Sequence, residues 1–268
     1  MSVAKLPIAL PVDHGRIVDP QRPILTMSYR LGPNRTPTHR HSRAHLFYCA
    51  EGAFRVVRAE ATWMVPPSQA VWIPSEADHC VHATQPIALL SLFVDASATL
   101  GLPDVCRVVH VPALLRELIL AAVEAGNDYA PDGADARLMH VILDRLRDLD
   151  TAPLSLPLAR DKRVRHVIEA LLEDPADERG LEDWAPRAGA SARTLARLFQ
   201  NETGLTFAQW RRQMRLLEAI DRLGKGQTVT RVALDLGYES PSAFIAMFRR
   251  ALGAPPGKYF EHAAICAE

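Results

Sequence analysis

The sequence predicts an α+β chain, strand-rich in its N-terminal half and all-α in its C-terminal third. Three observations carry that prediction. Short apolar runs divided by turn residues recur between Ile24 and His110, the pattern of many short strands forming a sandwich or small barrel. From Pro112 the apolar spacing becomes helical. Between residues 181 and 260 one small pattern then occurs twice.

Residues 1–23 hold Pro7, Pro11, Pro20 and Pro23 without a helical period, and are expected to form an extended arm. The strand runs that follow are Ile24–Leu31, His45–Ala50, Phe54–Ala59, Ala61–Val65, Ala70–Ile73, Ile87–Val94 and Val105–Val111. Gly32-Pro33-Asn34, Glu51-Gly52, Pro66-Pro67-Ser68 and Pro74-Ser75 punctuate them. Trp63, Trp72, Phe47, Phe54 and Phe93 are the residues expected to fill the interior or cap its mouth.

Two helices come next. The first carries Leu114, Leu115, Leu118 and Ile119 and ends near Gly126. The second carries Leu138, Val141, Ile142 and Leu146 opposite a charged face of Arg137, Asp144, Arg145, Arg147 and Asp148. Each stripe must be buried, either on the strands or in a seam between two copies. Thr151–Ala159, with two prolines and no charge, reads as a linker. A further helix is expected from Arg160 to Glu173, stopped by Asp174-Pro175.

The repeat reads Ala185, Gly189, Ser191, Leu195, Phe199, Gly204, Trp210 and then Ala233, Gly237, Ser240, Phe244, Phe248, Gly253, Tyr259. Each copy is a helix, a Gly turn and a second helix, the layout of a helix-turn-helix. Ser191 stands where an N-cap belongs. Thr206 to Leu223 should be one connecting helix, about 27 Å long at 1.5 Å per residue. Such a strut suits two reading helices about 34 Å, one DNA turn, apart.

Formal charge sums to zero over the 268 residues, but it is unevenly spread. Ser191–Lys258 holds eleven Lys/Arg against five Asp/Glu, a net of +6, whereas residues 1–159 hold fourteen against sixteen, a net of −2. A basic module on a mildly acidic body suits nucleic-acid contact. No apolar run reaches the length of a membrane span, and Met1–Pro11 lacks a signal-peptide design. The scattered Cys49, Cys80, Cys106 and Cys266 fit reduced thiols in the cytoplasm. No nucleophile motif or Gly-rich phosphate loop is present.

Leu195–Gly204, Val232–Tyr238 and Ser242–Phe248, followed by Gly253, Pro255, Pro256 and Tyr259, resemble the AraC/XylS family of bacterial transcription regulators. The resemblance covers about a third of the chain. It implies a double-stranded DNA operator, a homodimer, a small-molecule effector and RNA polymerase as partners, and it favours the seam for the helical pair. On the first reading helix, Arg193 and Arg197 are four apart on one face and are expected to meet base edges, with Thr194 and Gln200 nearer the phosphates. The second helix offers Pro241, Ser242, Ala243, Ile245 and Ala246, few of which can hydrogen-bond a base. It is expected to dock through backbone, Ser242, Arg249 and Arg250, and to read shape or thymine methyls.

Half of the ten histidines lie between 39 and 82. His39, His41 and His45 are all odd-numbered, so one continuous strand would point them to one face. With Gly52 and His79 they resemble the cupin signature, which implies that His39, His41, His45 and His79 bind a metal. Four imidazoles suit Zn, Ni, Co, Cu or Fe(II). His82 is expected on the surface.

The expected organisation is an N-terminal arm (1–23), a cupin-like antiparallel β-barrel plus helical pair for sensing and dimerisation (24–150), a linker (151–159) and an all-α tandem helix-turn-helix domain (160–268). The expected function is sequence-specific regulation of transcription under a metal or small-molecule effector, without enzymatic activity. The alternative is a metal-dependent cupin enzyme, an oxygenase or isomerase, fused to a DNA-binding module.

Overall fold

The computed structural model describes residues 21–259. The expected arm lies outside them except for its last three residues. The elements run β1 (Ile24–Leu31), β2 (Asn34–Arg35), β3 (Ala44–Glu51), β4 (Phe54–Val57), β5 (Ala61–Val65), β6 (Gln69–Ile73), β7 (Cys80–Ala83), β8 (Ile87–Val94) and β9 (Arg107–His110). Then come α1 (Ala113–Ala125), α2 (Ala134–Arg147), β10 (Ser155–Pro157), α3 (Lys162–Glu173), α4 (Leu181–Arg187), α5 (Ala192–Thr203), α6 (Phe207–Gly224), α7 (Val229–Asp235) and α8 (Pro241–Leu252). The chain divides into two compact units, one built from the described residues to Val57 with Val65–Pro153, the other from Arg58–Met64 with the residues from Leu154 onward.

In the first unit β1, β8, β3, β6 and β9 form an antiparallel sheet in that order. Its central strands are buried on both faces, which is why β8 reads as an apolar run interrupted only by Ser91. Successive residues alternate between the faces. Ala44, Leu46 and Tyr48 of β3 and Leu90, Leu92 and Val94 of β8 share a core with Leu115, Ile119 and Ala122 of α1 and Met139, Ile142 and Leu146 of α2. His45, Phe47 and Phe93 point the other way, where Phe47 meets Phe54 of β4 edge-on. A second antiparallel set, β4–β7–β2, lies on that side. Gly52 makes the turn from β3 to β4 with φ +78°, and a Cβ there would fall 2.6 Å from the Pro86 carbonyl oxygen.

The sequence did not single out β2 or β7, which at two and four residues are too short to show a period of two. Of the expected helical stripes, Leu115, Ile119, Ile142 and Leu146 are buried, but Leu114 is 61% and Val141 44% exposed, and Met139 and Leu143 are buried as well. The inward faces pack on the sheet, and Leu114 and Val141 are left outside that core.

The last residues before β1 are tied down by Arg43, a residue without an obvious role in the sequence. Its guanidinium is buried, pairs with Asp95 at 3.1 Å and donates to the carbonyl oxygens of Arg22, Pro23 and Phe93. Burying that charge is tolerable because its donors are so fully occupied.

In the second unit the stretch expected to be a plain linker contains β10, paired antiparallel with β5. Leu154 and Leu156 are buried, and Trp210 Nε1 and Gln213 Nε2 of α6 donate to the carbonyls of Pro157 and Ser155, each at 2.8 Å. Nearby prolines hid a strand of three residues whose partner lies some ninety positions away. The helices follow the sequence closely. Asp161 caps α3, and Thr206 caps α6 in a capping box with Gln209. Leu195, Phe199, Trp210, Phe244 and Phe248 form buried apolar centres of the two helix-turn-helix copies.

Candidate functional site

Two sets of residues remain once the packing is accounted for, one on each unit. The first is on α5 and α8. Gly189 and Gly237, with φ +64° and +72°, make the turns into these helices. At Gly237 a Cβ would stand 3.0 Å from the Ala176 carbonyl oxygen, so the turn excludes a side chain. Ser191 and Ser240 are the N-caps, accepting from the backbone N–H of Thr194 and Ala243 at 3.2 Å each. The Ser191 hydroxyl also shares a 2.9 Å bond with that of Thr194.

Burying Leu195 and Phe199 turns Arg193, Arg197 and Gln200 outward. Gln200 Nε2 donates one of its two N–H groups to the Gly204 carbonyl at 2.9 Å, which holds the side chain along the helix end and leaves the second N–H to donate. On α8 the same geometry exposes Ser242, Ala243, Ala246, Arg249 and Arg250. Many other cations of the module are committed within it. Arg211 and Arg215 donate to backbone carbonyls, Arg222 pairs with Glu218 and Asp235, Lys225 with Asp221, and Arg231 with Asp235. Arg193, Arg197, Arg249 and Arg250 have no acidic partner among the described residues. Four cations without an acidic partner therefore sit on the two helices that follow the Gly turns.

The second set is the imidazole cluster of the first unit. His39 and His79 face each other in an isolated antiparallel bridge, with rings 4.4 Å apart. His41 lies 5.0 Å from His39 and 5.4 Å from His79, ring to ring. One ring nitrogen from each of His39, His41 and His79 falls within 4.8 Å of the others. Their convergence does not come from one continuous strand, as the odd numbering suggested. Residues 40–43 are not strand and β3 begins at Ala44, so the loop delivers His41 and the bridge delivers His39.

His39 Nδ1 lies 2.9 Å from the Pro37 carbonyl oxygen and His79 Nδ1 lies 2.8 Å from that of Ala77. A carbonyl only accepts, so each Nδ1 carries the proton and each neutral ring keeps its lone pair on Nε2. That is the tautomer a metal ion requires, fixed from behind as metal-binding imidazoles usually are. An all-nitrogen set without a carboxylate suits a first-row transition ion better than Mg or Ca. The residues present fit such an ion.

His45 stands apart from this group. It is 1% exposed, lies against Phe47 with ring centroids 3.5 Å apart and stacks on Phe93 at 4.0 Å. Its ring is 5.4 Å from that of His41. Burial first, and then the neighbouring imidazoles, push its pKa well below the ordinary histidine range, so it is neutral. Neither ring nitrogen has a hydrogen-bond partner among the described residues. His82, half-buried on β7, is not part of the cluster. Sequence reasoning missed the Phe47–Phe93 enclosure and Arg43, because each depends on strand register rather than on local spacing.

Comparison with known proteins fixes the family. A model of the AraC-like ligand binding domain matches residues 29–142, and a model of a helix-turn-helix domain matches residues 184–262. Over 224 residues the chain is 38% identical to the HTH-type transcriptional regulator NimR of Escherichia coli K12, covering 84% of this chain and 82% of that one. The chain belongs to the AraC family of transcriptional regulators. Another relative is the HTH-type transcriptional regulator RipA of Corynebacterium glutamicum, 27% identical over 218 residues, spanning 81% of this chain and 62% of that one. Among solved structures, the DNA-binding domain of the global transcriptional factor AdpA, in complex with a target DNA, is 33% identical and covers 38% of this chain and 94% of that one, with a TM-score of 0.36. As an AraC-family member the chain is a DNA-binding transcriptional regulator with a ligand-binding N-terminal domain. Among the described residues no helix is long and apolar enough to cross a membrane.

Proposed function

We propose that this AraC-family regulator is a cytoplasmic homodimer whose N-terminal unit responds to a divalent transition metal, or to a small molecule held by one. His39, His41 and His79 hold the ion. The observation that carries this reading is the pair of Nδ1–carbonyl bonds at His39 and His79, which present two Nε2 lone pairs beside His41. When bound, such an ion supplies a positive centre with coordination positions open to a ligand.

On the DNA side, Arg193 and Arg197 read base edges, while Ser191, Thr194 and Gln200 contact phosphates. The second helix docks through Ser242, Arg249 and Arg250. Support comes from their exposure and from the lack of acidic partners for the four arginines. The 18-residue α6, about 27 Å long, sets the spacing of the two reading helices. Leu114 and Val141, outside the core, belong to the dimer seam.

An effector changes the occupancy of DNA only if it binds two states of the protein with different affinity. The test is operator affinity and footprint of full-length protein with metal loaded and with metal stripped. A change in either supports the reading; equality in both removes metal as the effector. The enzyme alternative is weaker, because sensing requires differential affinity rather than turnover, and it is tested by assaying oxygen uptake and substrate turnover of the metal-loaded chain.

A further inference from the structure

His45 is the part of the imidazole cluster that metal binding alone leaves without a role. It is 1% exposed, its two ring nitrogens have no hydrogen-bond partner among the described residues, and it lies outside the group formed by His39, His41 and His79. Phe47 and Phe93 hold it in place, and the same two rings border the triad, at 6.4 Å from His79 and 5.5 Å from His41. An imidazole buried in this way is an unmet donor and acceptor, which a native core does not keep without compensation.

We propose that His45 is the recognition residue for a small organic carboxylate that completes the metal triad. The inference rests on the metal reading above. Three neutral imidazoles leave both charges of a divalent ion uncompensated, and the group contains no carboxylate, so the ligand that completes it is an anion. One carboxylate oxygen would bind the ion that His39, His41 and His79 hold, and the other would accept the single N–H of neutral His45. Phe47 and Phe93 offer no further donor. A two-oxygen anion therefore meets the His45 donor with nothing left over, whereas phosphate would press further oxygens against phenyl rings.

The experiment uses the full chain loaded with Co(II), whose visible spectrum reports changes at the ion, titrated separately with acetate, phosphate and acetamide. Acetate is expected to perturb the spectrum at concentrations about tenfold lower than phosphate or acetamide. His45→Phe keeps the aromatic stack and removes the donor. It should hold Co(II) within about threefold of the parent and bind acetate about tenfold more weakly. His45→Gln restores an N–H donor and should recover part of the acetate affinity.

If His45→Phe loses Co(II) as a His41→Gln variant does, His45 is a ligand and the assignment is overturned while the metal site stands. If His45→Phe binds acetate like the parent, or if acetamide or phosphate binds the parent as well as acetate, the assignment is likewise overturned. If the parent takes no Co(II), the metal reading itself fails. Should His45→Phe not fold, the parent's preference among the three probes and the His45→Gln titration still decide the matter.

Discussion

His39 and His79 exchange both of their backbone hydrogen bonds, each N–H meeting the other's carbonyl at 2.9 Å. In an antiparallel pair of this kind the side chains rise from the same side of the ladder. The backbone thus brings the two rings to one side, where they lie 4.4 Å apart. His79→Ala should lower Co(II) or Zn(II) affinity by at least about tenfold with little effect on the far-UV spectrum. Titration calorimetry checks this, and unchanged affinity would place the metal elsewhere.

Arg197 is exposed on α5 with no acidic partner among the described residues. Arg197→Ala should weaken operator binding by about 1–3 kcal/mol and relax the preference at one base position. Competition across single-base operator variants is the measurement. A uniform loss over all sequences would make Arg197 a phosphate contact instead.

Arg249 and Arg250 close α8, whose remaining exposed positions are small. Replacing both by Gln should weaken specific and non-specific duplexes alike. The slope of log K against log salt should fall by about two, close to one for each phosphate that the pair neutralises. A loss of specificity with an unchanged salt slope would show that the pair reads bases.

Asp161 caps α3 and accepts from the Arg163 side chain and backbone N–H, which hold its carboxyl down to about 2. The unfolded chain titrates this group near pH 3.9. Between those values the unfolded state binds more protons, so stability is lost as pH falls from about 4 towards 2. Asp161→Asn, which keeps the cap oxygen, should flatten that part of the pH profile. Urea midpoints of the two proteins at pH 2–6 test it, and parallel profiles would show that this carboxyl is not linked to folding.

Leu114 and Val141 stay outside the core that α1 and α2 share with the sheet. Leu114→Asp with Val141→Asp should shift sedimentation towards the monomer without lowering the unfolding temperature appreciably. A monomeric parent, or a dimer that survives both changes, would move the seam to another surface.

The DNA-binding module was legible in the sequence to within a residue or two. Its caps and turns are made by bonds that span three residues, as at Ser191–Thr194 and Thr206–Gln209. Its packing repeats at a fixed interval, as at Leu195–Phe199 and Phe244–Phe248. The imidazole cluster was legible only as a set of candidates. His39 and His41 announced themselves by number, but strand alternation could not place them, because the chain forms no continuous strand there. The same limit applied to β10 and to the helical pair, where the expected stripe took in Leu114 beside Leu115 although only Leu115 is buried.

Residue order by itself determined where helices start and stop, where glycine must turn the chain and where cationic side chains accumulate, because those features follow from bonds and sterics between near neighbours. Tertiary structure alone decided that His79 meets His39, that His45 is held between Phe47 and Phe93, and that Arg43 is buried beside Asp95. The reason is physical. Each of those contacts depends on the register of strands distant in the chain, and register is fixed by the burial of a whole sheet face rather than by any local pattern.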